Sequence, residues 1–167
     1  MNEIYLTEEL KKWYMDDFQN LLKIDKEFWE IDNADLKSIL IKINQNESIQ
    51  TIYSKYKNNS NFIDKLSYLK FCYTENIELK LFREIIPFFI TKYNGEFEYS
   101  PSVCDYDFFL PKTNANFNEN SSIHGMNCID SNDYFKVNHI SLNLETEKID
   151  LHKEFWDDLT TKLYELK

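Results

Sequence analysis

Glycine is nearly absent from this chain, since Gly95 and Gly125 are the only two among 167 residues. Phosphate-binding loops and dinucleotide-binding fingerprints need several glycines, because bare backbone must come close to the phosphate. Nucleotide sites of these kinds are therefore excluded, and no cofactor is expected.

Arginine is scarcer still, because Arg83 is the only one, and the formal net charge is -10. Proteins that clamp phosphates or read nucleic-acid grooves rely on arginine forks and on a basic face. Direct binding of nucleic acid is therefore not expected.

Long apolar runs and paired cysteines are also missing. The longest apolar run, 85–90, contains Pro87 and is far shorter than the roughly 20 residues of a membrane helix. The first residues lack the basic start and the following apolar stretch that indicate a secretory signal. Cys72, Cys104 and Cys128 are odd in number and widely spaced, which does not suit a disulfide framework. We expect a cytoplasmic protein with reduced thiols and no membrane contact.

Large side chains, by contrast, are abundant, with 13 Phe, 11 Tyr and 3 Trp. A chain of this length removes roughly 70% of its unfolded surface from water on folding. We therefore predict one folded domain over residues 1–167. Its charge is uneven, because residues 1–94 carry a net charge of -2 and residues 95–167 carry -8. The acidic second part should speed encounter with a basic partner.

The spacing of apolar residues predicts about five helices in residues 1–94. Each begins at a residue whose side chain can cap a helix N-terminus. In chain order these caps are Thr7, Asp32 or Asn33, Asn46, Ser60 or Asn61, and Asn76. The third helix would carry Ile49, Ile52, Tyr53 and Tyr56, and the fourth Phe62, Ile63, Leu66, Leu69 and Tyr73.

Residues 88–99 have two alternative predictions. The fifth helix can continue beyond a kink at Pro87 to a left-handed cap at Gly95. Alternatively, Asn94 and Gly95 can form a hairpin turn between 88–93 and the alternating residues 96–99. Helical spacing up to Tyr93 favours the helix, with the following strand pairing elsewhere.

The second part of the chain predicts strands, loops and a closing helix. Residues 112–127 show little periodicity and predict a loop. Tyr134–Leu144 alternates and predicts a strand with a register change near His139. Thr146 or Asp150 can cap the final helix. The predicted fold class is therefore α+β, with a mainly helical part (1–94) followed by a small antiparallel sheet, long loops and a C-terminal helix (95–167).

Acidic and aromatic residues are interleaved in the second part. In a protein interface, charges steer association and desolvated aromatic side chains supply most of the binding energy. A half-buried strand at 96–99, with Phe97 and Tyr99 inward, would give the same alternation. The predicted partner-binding residues are Glu96, Glu98, Tyr99, Asp105, Tyr106, Asp107, Asp130, Asp133 and Tyr134.

Signals for catalysis or metal binding are weak. His124 and Cys128 lie four residues apart with Cys104 upstream, but the short Cys and His pairs of structural zinc sites do not occur. Either of these cysteines could be combined with His124, His139 or His152 as a nucleophile and base, without the local motif that usually marks such a site. No catalytic or metal residue is assigned, and a small cysteine- or metal-dependent hydrolase is kept as an alternative.

A small acidic protein with no catalytic signature and with tyrosines such as Tyr99 and Tyr106 among its carboxylates resembles bacterial immunity proteins of the contact-dependent inhibition and colicin systems. The resemblance implies a cytoplasmic protein that binds and neutralises a cognate antibacterial toxin. An acidic surface suits a nuclease toxin, whose cleft must be basic to hold a polyanion. An antitoxin or a phage-encoded nuclease inhibitor would share this surface, and a scaffold whose acidity serves solubility is a further alternative.

Overall fold

The computed structural model describes residues 5–23, 34–57, 65–102, 109–111, 134–136 and 138–167. The helices are α1 (Glu8–Leu22), α2 (Ala34–Asn44), α3 (Glu75–Lys80), α4 (Ile86–Lys92) and α5 (Ile149–Tyr164), and a π-helical turn (Leu81–Ile85) joins α3 to α4. The strands are β1 (Ile49–Lys55), β2 (Leu66–Tyr73), β3 (Phe97–Ser102), β4 (Phe109–Pro111), β5 (Tyr134–Lys136) and β6 (His139–Glu145).

Four strands form one antiparallel sheet in the order β1-β2-β6-β3, and β4 pairs with β5 in a separate two-stranded sheet. The edges of the four-stranded sheet are therefore β1 and β3. With helices packed on an antiparallel sheet, the predicted α+β class is confirmed. None of the helices in the described ranges is long and apolar enough to cross a membrane.

The main core lies between the helices and one face of the sheet, here called the core face. Phe71 and Leu142 from the sheet and Phe155 and Trp156 from α5 are fully buried in it. Full burial of one such side chain contributes about 1.5–3 kcal/mol to stability. The predicted final helix is thus confirmed as α5, and its apolar stripe closes the core.

The two ends of α5 are fixed by contacts outside the helix. Its N-cap is Lys148, between the predicted caps Thr146 and Asp150, and the Lys148 N–H donates to the Thr146 hydroxyl over 3.2 Å. At the other end, Asn46 Nδ2 donates to two carbonyl oxygens, those of Leu163 and Leu166, at 2.7 Å each. Asn46 therefore adds side-chain hydrogen bonds at a helix end, where the last carbonyls lack the usual intrahelical donors.

Helix α1 covers part of the opposite side of the sheet, here called the outer face. It begins where predicted, and the Thr7 hydroxyl accepts a hydrogen bond from the Leu10 N–H over 3.2 Å. Leu10 and Tyr14 pack with Ile52 and Cys72 in a small second cluster. This packing confirms the first predicted helix and places it beside the edge strand β1.

The third and fourth predicted helices are wrong, because the described residues there form the strands β1 and β2. A β-bulge between Thr51 and Tyr53 inserts an extra residue into β1. Ile49 and Ile52 therefore have the three-residue spacing of a helix although they contact different clusters on the two sides of the sheet. Residues 58–64, where the fourth helix was expected to begin, lie outside the described residues.

The fifth predicted helix is confirmed, although its N-cap is Thr74 rather than Asn76, and it continues through Pro87 as α4. Gly95 follows it with a φ of +79°, a left-handed conformation that glycine adopts without strain. β3 then pairs with β6 rather than with residues 88–93, so the hairpin alternative is wrong.

The predicted strand Tyr134–Leu144 corresponds to two strands, β5, which ends at Lys136, and β6, which begins at His139. The start of β6 lies where the register change is predicted, near His139. The predicted loop at 112–127 falls outside the described residues.

Candidate protein-binding site

The part of the outer face that α1 leaves uncovered forms a groove of about 750 Å³. It crosses all four strands, because antiparallel register aligns alternate residues of each strand on one face. Residues that line it include Tyr53, Tyr68, Lys70, Asn143, Glu98 and Glu145.

Strand register explains why these side chains meet. Tyr68 of β2 lies opposite Asn143 of β6, which in turn lies opposite Glu98 of β3. In the neighbouring row, Tyr53 of β1 lies opposite Lys70 of β2. A tyrosine on the β1–β2 side is therefore joined to a carboxylate on the β3 side by residues that are adjacent across the sheet.

The electrostatics of the groove are dominated by carboxylates. Its lining contains Glu96, Glu98 and Glu145, against the single ammonium group of Lys70. Lys70 Nζ lies 5.9 Å from the ring centroid of Tyr53, within the range of a cation–π contact. Glu96 also pairs with the exposed Lys148 over 3.3 Å, a contact that water screens. The β3 side of the groove is accordingly acidic, and the β1–β2 side is aromatic.

Two predicted partner-binding residues, Glu96 and Glu98, lie in this groove, whereas Tyr99 does not. The Tyr99 ring lies on the core-face side, 6.5 Å from the ring centroid of Phe82, and the residue is 38% exposed. Phe97 packs against the main core from the same side. The half-buried strand that the sequence also allowed is therefore the observed geometry, and Glu98 and Tyr99 point to opposite faces.

The other predicted partner-binding residues cannot be placed at the groove. Tyr134 begins β5, where its backbone pairs with that of Pro111. The remaining ones lie outside the described residues, namely Asp105, Tyr106, Asp107, Asp130 and Asp133.

Sequence reasoning missed Tyr53, Tyr68 and Lys70 because it assigned their segments to helices. In the structure residues 66, 68 and 70 alternate with the buried residues 67, 69 and 71, but Leu66 on the groove side and Ser67 on the buried side hide this alternation in the sequence. Period-two burial of this kind is typical of a strand with one buried face.

Ser67 and His152 resemble a nucleophile and base pair, but their environment is structural. The Ser67 hydroxyl lies 2.7 Å from His152 Nδ1, and both residues are fully buried. His152 Nε2 lies 2.8 Å from the Thr146 carbonyl oxygen, so the ring donates there and accepts from Ser67 at Nδ1. Ser67 Oγ also accepts from the Lys57 N–H over 2.9 Å. The pair therefore links β2 to α5 and offers no open position to a substrate.

The thiol of Cys72 is likewise a core group. It is fully buried, its Sγ lies 3.6 Å from the Gln50 carbonyl oxygen, and burial raises the pKa of the thiol to about 12. Reactive cysteines are partly exposed and have a lowered pKa, and Cys72 has neither property. Within the described ranges no three His, Cys, Asp or Glu side chains are grouped as metal ligands. Cys104, His124 and Cys128 lie outside those ranges.

No protein-family model, no curated protein and no solved structure matches this chain.

Proposed function

We propose that the protein is an immunity protein that binds and neutralises a cognate antibacterial toxin with a basic nuclease domain. The observation that carries this proposal is the row of Tyr68, Asn143 and Glu98 across the outer face, bordered by Glu96 and Glu145. Aromatic side chains supply much of the binding energy of protein interfaces, and carboxylates beside them are complementary in charge to a basic partner.

The two kinds of side chain have separate roles in this proposal. Tyr53 and Tyr68 are half-buried, so a partner that covers them removes the rest of their apolar area from water. Glu98 and Glu145 are exposed and act at longer range, where they raise the association rate of a basic partner. A nuclease domain fits because it must hold a polyanion in a basic cleft.

The experiment that tests the proposal captures partners from the source strain on the immobilised full chain, at low and at high salt. We expect a basic domain in one-to-one ratio, bound better at low salt because exposed charges are screened by ions. The nuclease activity of the captured domain is then measured with and without the protein. Recovery of no such domain, or of one whose activity is unchanged by the protein, would contradict the proposal.

A charge-reversal pair locates the binding surface. Glu98→Lys with Glu145→Lys should slow association and weaken capture by about tenfold or more at low salt. The matched control is Glu84→Lys with Glu165→Lys, which makes the same charge change at exposed positions on the helical side. Equal capture by the two double variants would show that the groove is not the binding surface.

A further inference from the structure

The hydrogen-bond pattern between β3 and β6 fixes which backbone groups of β3 point away from the sheet. The Glu145 N–H donates to the Glu96 carbonyl oxygen over 2.9 Å, just outside the opposed pair of Phe97 and Leu144. In an antiparallel ladder such a bond flanks a pair that is not itself hydrogen-bonded, and the two pair types alternate.

It follows that Glu98 and Ser100 bond to β6, while the N–H and C=O groups of Phe97 and Tyr99 point outward. Pro101 fits the same alternation, because the N–H that it lacks would also point outward. No strand within the described ranges pairs with this edge. Glu98, Tyr99 and Ser100 are exposed. Among the described residues, the outward main-chain groups of Phe97 and Tyr99 on this edge thus have no partner.

We propose that β3 is a strand-addition site, at which a basic, extended segment of the partner pairs with the main chain of Phe97 and Tyr99. This inference rests on the proposed function and specifies how the partner of that surface is held. Strand addition takes its affinity from main-chain hydrogen bonds and its specificity from alternate side chains.

An added strand explains how one partner can contact both Glu98 and Tyr99, which lie on opposite faces of the sheet. Side chains of the added strand alternate between the two faces of the extended sheet. One set therefore lies on the outer face beside Glu98, and the other lies beside the half-exposed ring of Tyr99. A partner that straddles the edge contacts both residues, which a partner seated on one face cannot do.

Charge selects the occupant. On the outer face, Glu96 and Glu98 lie at the β3 edge, so lysine or arginine at alternate positions of the added strand gains favourable cross-strand pairs, and Glu145 of β6 adds negative charge one strand further away. A second copy of this chain would bring its own Glu98 to the same edge, and like charges across a strand pair are destabilising. The preferred segment alternates basic residues on the groove side with apolar residues on the Tyr99 side.

The first experiment uses a synthetic peptide of alternating lysine and valine as the probe, with its glutamate–valine counterpart as the control. Exchange of individual amide protons is followed by NMR in the full chain. We expect the Phe97 and Tyr99 amides to exchange about tenfold more slowly with the lysine peptide, because they gain hydrogen bonds. The Glu98 and Ser100 amides already bond to β6 and should change little.

Two outcomes of this experiment would overturn the inference. One is a peptide that perturbs Tyr53 or Tyr68 without slowing exchange at β3. The other is slowed exchange of the Tyr99 amide that needs no peptide and grows with protein concentration, which would identify a second copy as the occupant.

A pair of variants separates the main chain of Tyr99 from its side chain. Tyr99→Pro removes the outward N–H without removing a bond to β6, whereas Tyr99→Ala keeps the N–H and removes the ring. We expect Tyr99→Pro to weaken peptide binding by about tenfold and Tyr99→Ala by about threefold. Equal weakening would mean that only the ring matters, against strand addition. A peptide N-methylated along one edge repeats this test on the unaltered protein and should lose binding.

The two proposals can fail separately. A captured toxin domain that binds Tyr99→Pro as well as it binds Tyr99→Ala would exclude strand addition and leave the proposed function intact. Peptide addition at β3 without any captured and inhibited toxin would refute the proposed function and keep the preference of this edge for basic strands.

Discussion

At the β1 edge of the sheet, the outward main-chain groups of Ile49 and Thr51 all have hydrogen-bond partners, whereas at the β3 edge those of Phe97 and Tyr99 have none among the described residues. At β1 the partners are the Asn46 carbonyl (3.1 Å), the Lys11 amine (2.5 Å), the Asn44 side-chain carbonyl (2.8 Å) and the Gln50 amide (3.2 Å). Two edges of one sheet thus differ in how strand pairing with another protein is prevented. Three side chains and the Asn46 main-chain carbonyl occupy the first edge, whereas among the described residues only the charge of Glu98 and the missing N–H of Pro101 limit pairing at the second.

The largest expected effect tests the register that underlies this difference. Ser100→Pro removes an N–H that bonds to β6, and we expect it to lower the free energy of unfolding by about 3 kcal/mol relative to Ser100→Ala. Tyr99→Pro, relative to Tyr99→Ala, should cost less than about 1 kcal/mol, because the lost N–H faces solvent. Urea unfolding of the four variants measures both differences. Equal losses would reverse the assignment of inward and outward groups.

The second prediction concerns the pH dependence of stability that results from burying the Lys11 amine at the β1 edge. Lys11 is 8% exposed, and burial lowers the pKa of its ammonium group from 10.5 to about 8. Between these two pH values the unfolded chain holds a proton that the native protein has lost, so stability rises with pH. The Lys11→Met variant has no amine at this position, so its free energy of unfolding lacks this rise with pH. We expect the stability advantage of the natural protein over the variant to grow by about 2–3 kcal/mol from pH 7 to pH 10.

Urea unfolding of both proteins at pH 7 and at pH 10 measures this change. Lys12→Met is the control, because Lys12 is an exposed neighbour on the same helix. A difference that is flat with pH, or that shrinks, would show that Lys11 is charged in the native state up to its ordinary pKa.

The third prediction removes the amide that protects Thr51. Asn44 accepts from the Thr51 N–H and donates to the Thr51 hydroxyl over 2.6 Å. Asn44→Ala should lower the free energy of unfolding by about 2 kcal/mol, because it leaves the Thr51 N–H without a partner. Gln45→Ala changes an exposed neighbour and should have no measurable effect. Similar losses for the two variants would argue against side-chain protection of the β1 edge.

The smallest effect on stability is expected at the β3 edge. Glu98→Val should change the free energy of unfolding by less than about 0.5 kcal/mol, since the side chain is exposed. The same variant should self-associate with rising concentration, because it removes a charge from an edge that none of the described strands covers. Sedimentation velocity measures the association, with Glu84→Val as the control. A monomeric Glu98→Val at all concentrations would mean that its charge is not what protects β3.

Local patterns suffice to predict α1, α2 and α5, because each helix buries a single apolar stripe. They fail for β1 and β2 for two physical reasons. The bulge at Thr51 shifts the phase of β1, and α1 covers Cys72, so that β2 is buried on both faces near its end. Alternation, which is the strand signal, is lost in both cases.

The candidate site is predictable only in part. Glu98 is recognisable as an exposed acid from its alternation with Phe97 and Tyr99. Its neighbours Tyr68 and Asn143 reach it only because β6 inserts between β2 and β3. That order depends on pairing between distant segments, which local periodicity does not contain.

The hydrogen bonds from Asn46 to the end of α5 also have a consequence for biosynthesis. They join residues 117 and 120 positions apart, and β6, which completes the sheet between β2 and β3, is also made late. On the ribosome, β1 and β2 emerge first and can pair, but their apolar face stays in contact with water until β6 and α5 follow. A nascent chain stopped before α5 would lack Phe155 and Trp156 and could not close its core. In the proposed function, protection against the toxin therefore begins only when synthesis has passed the last helix.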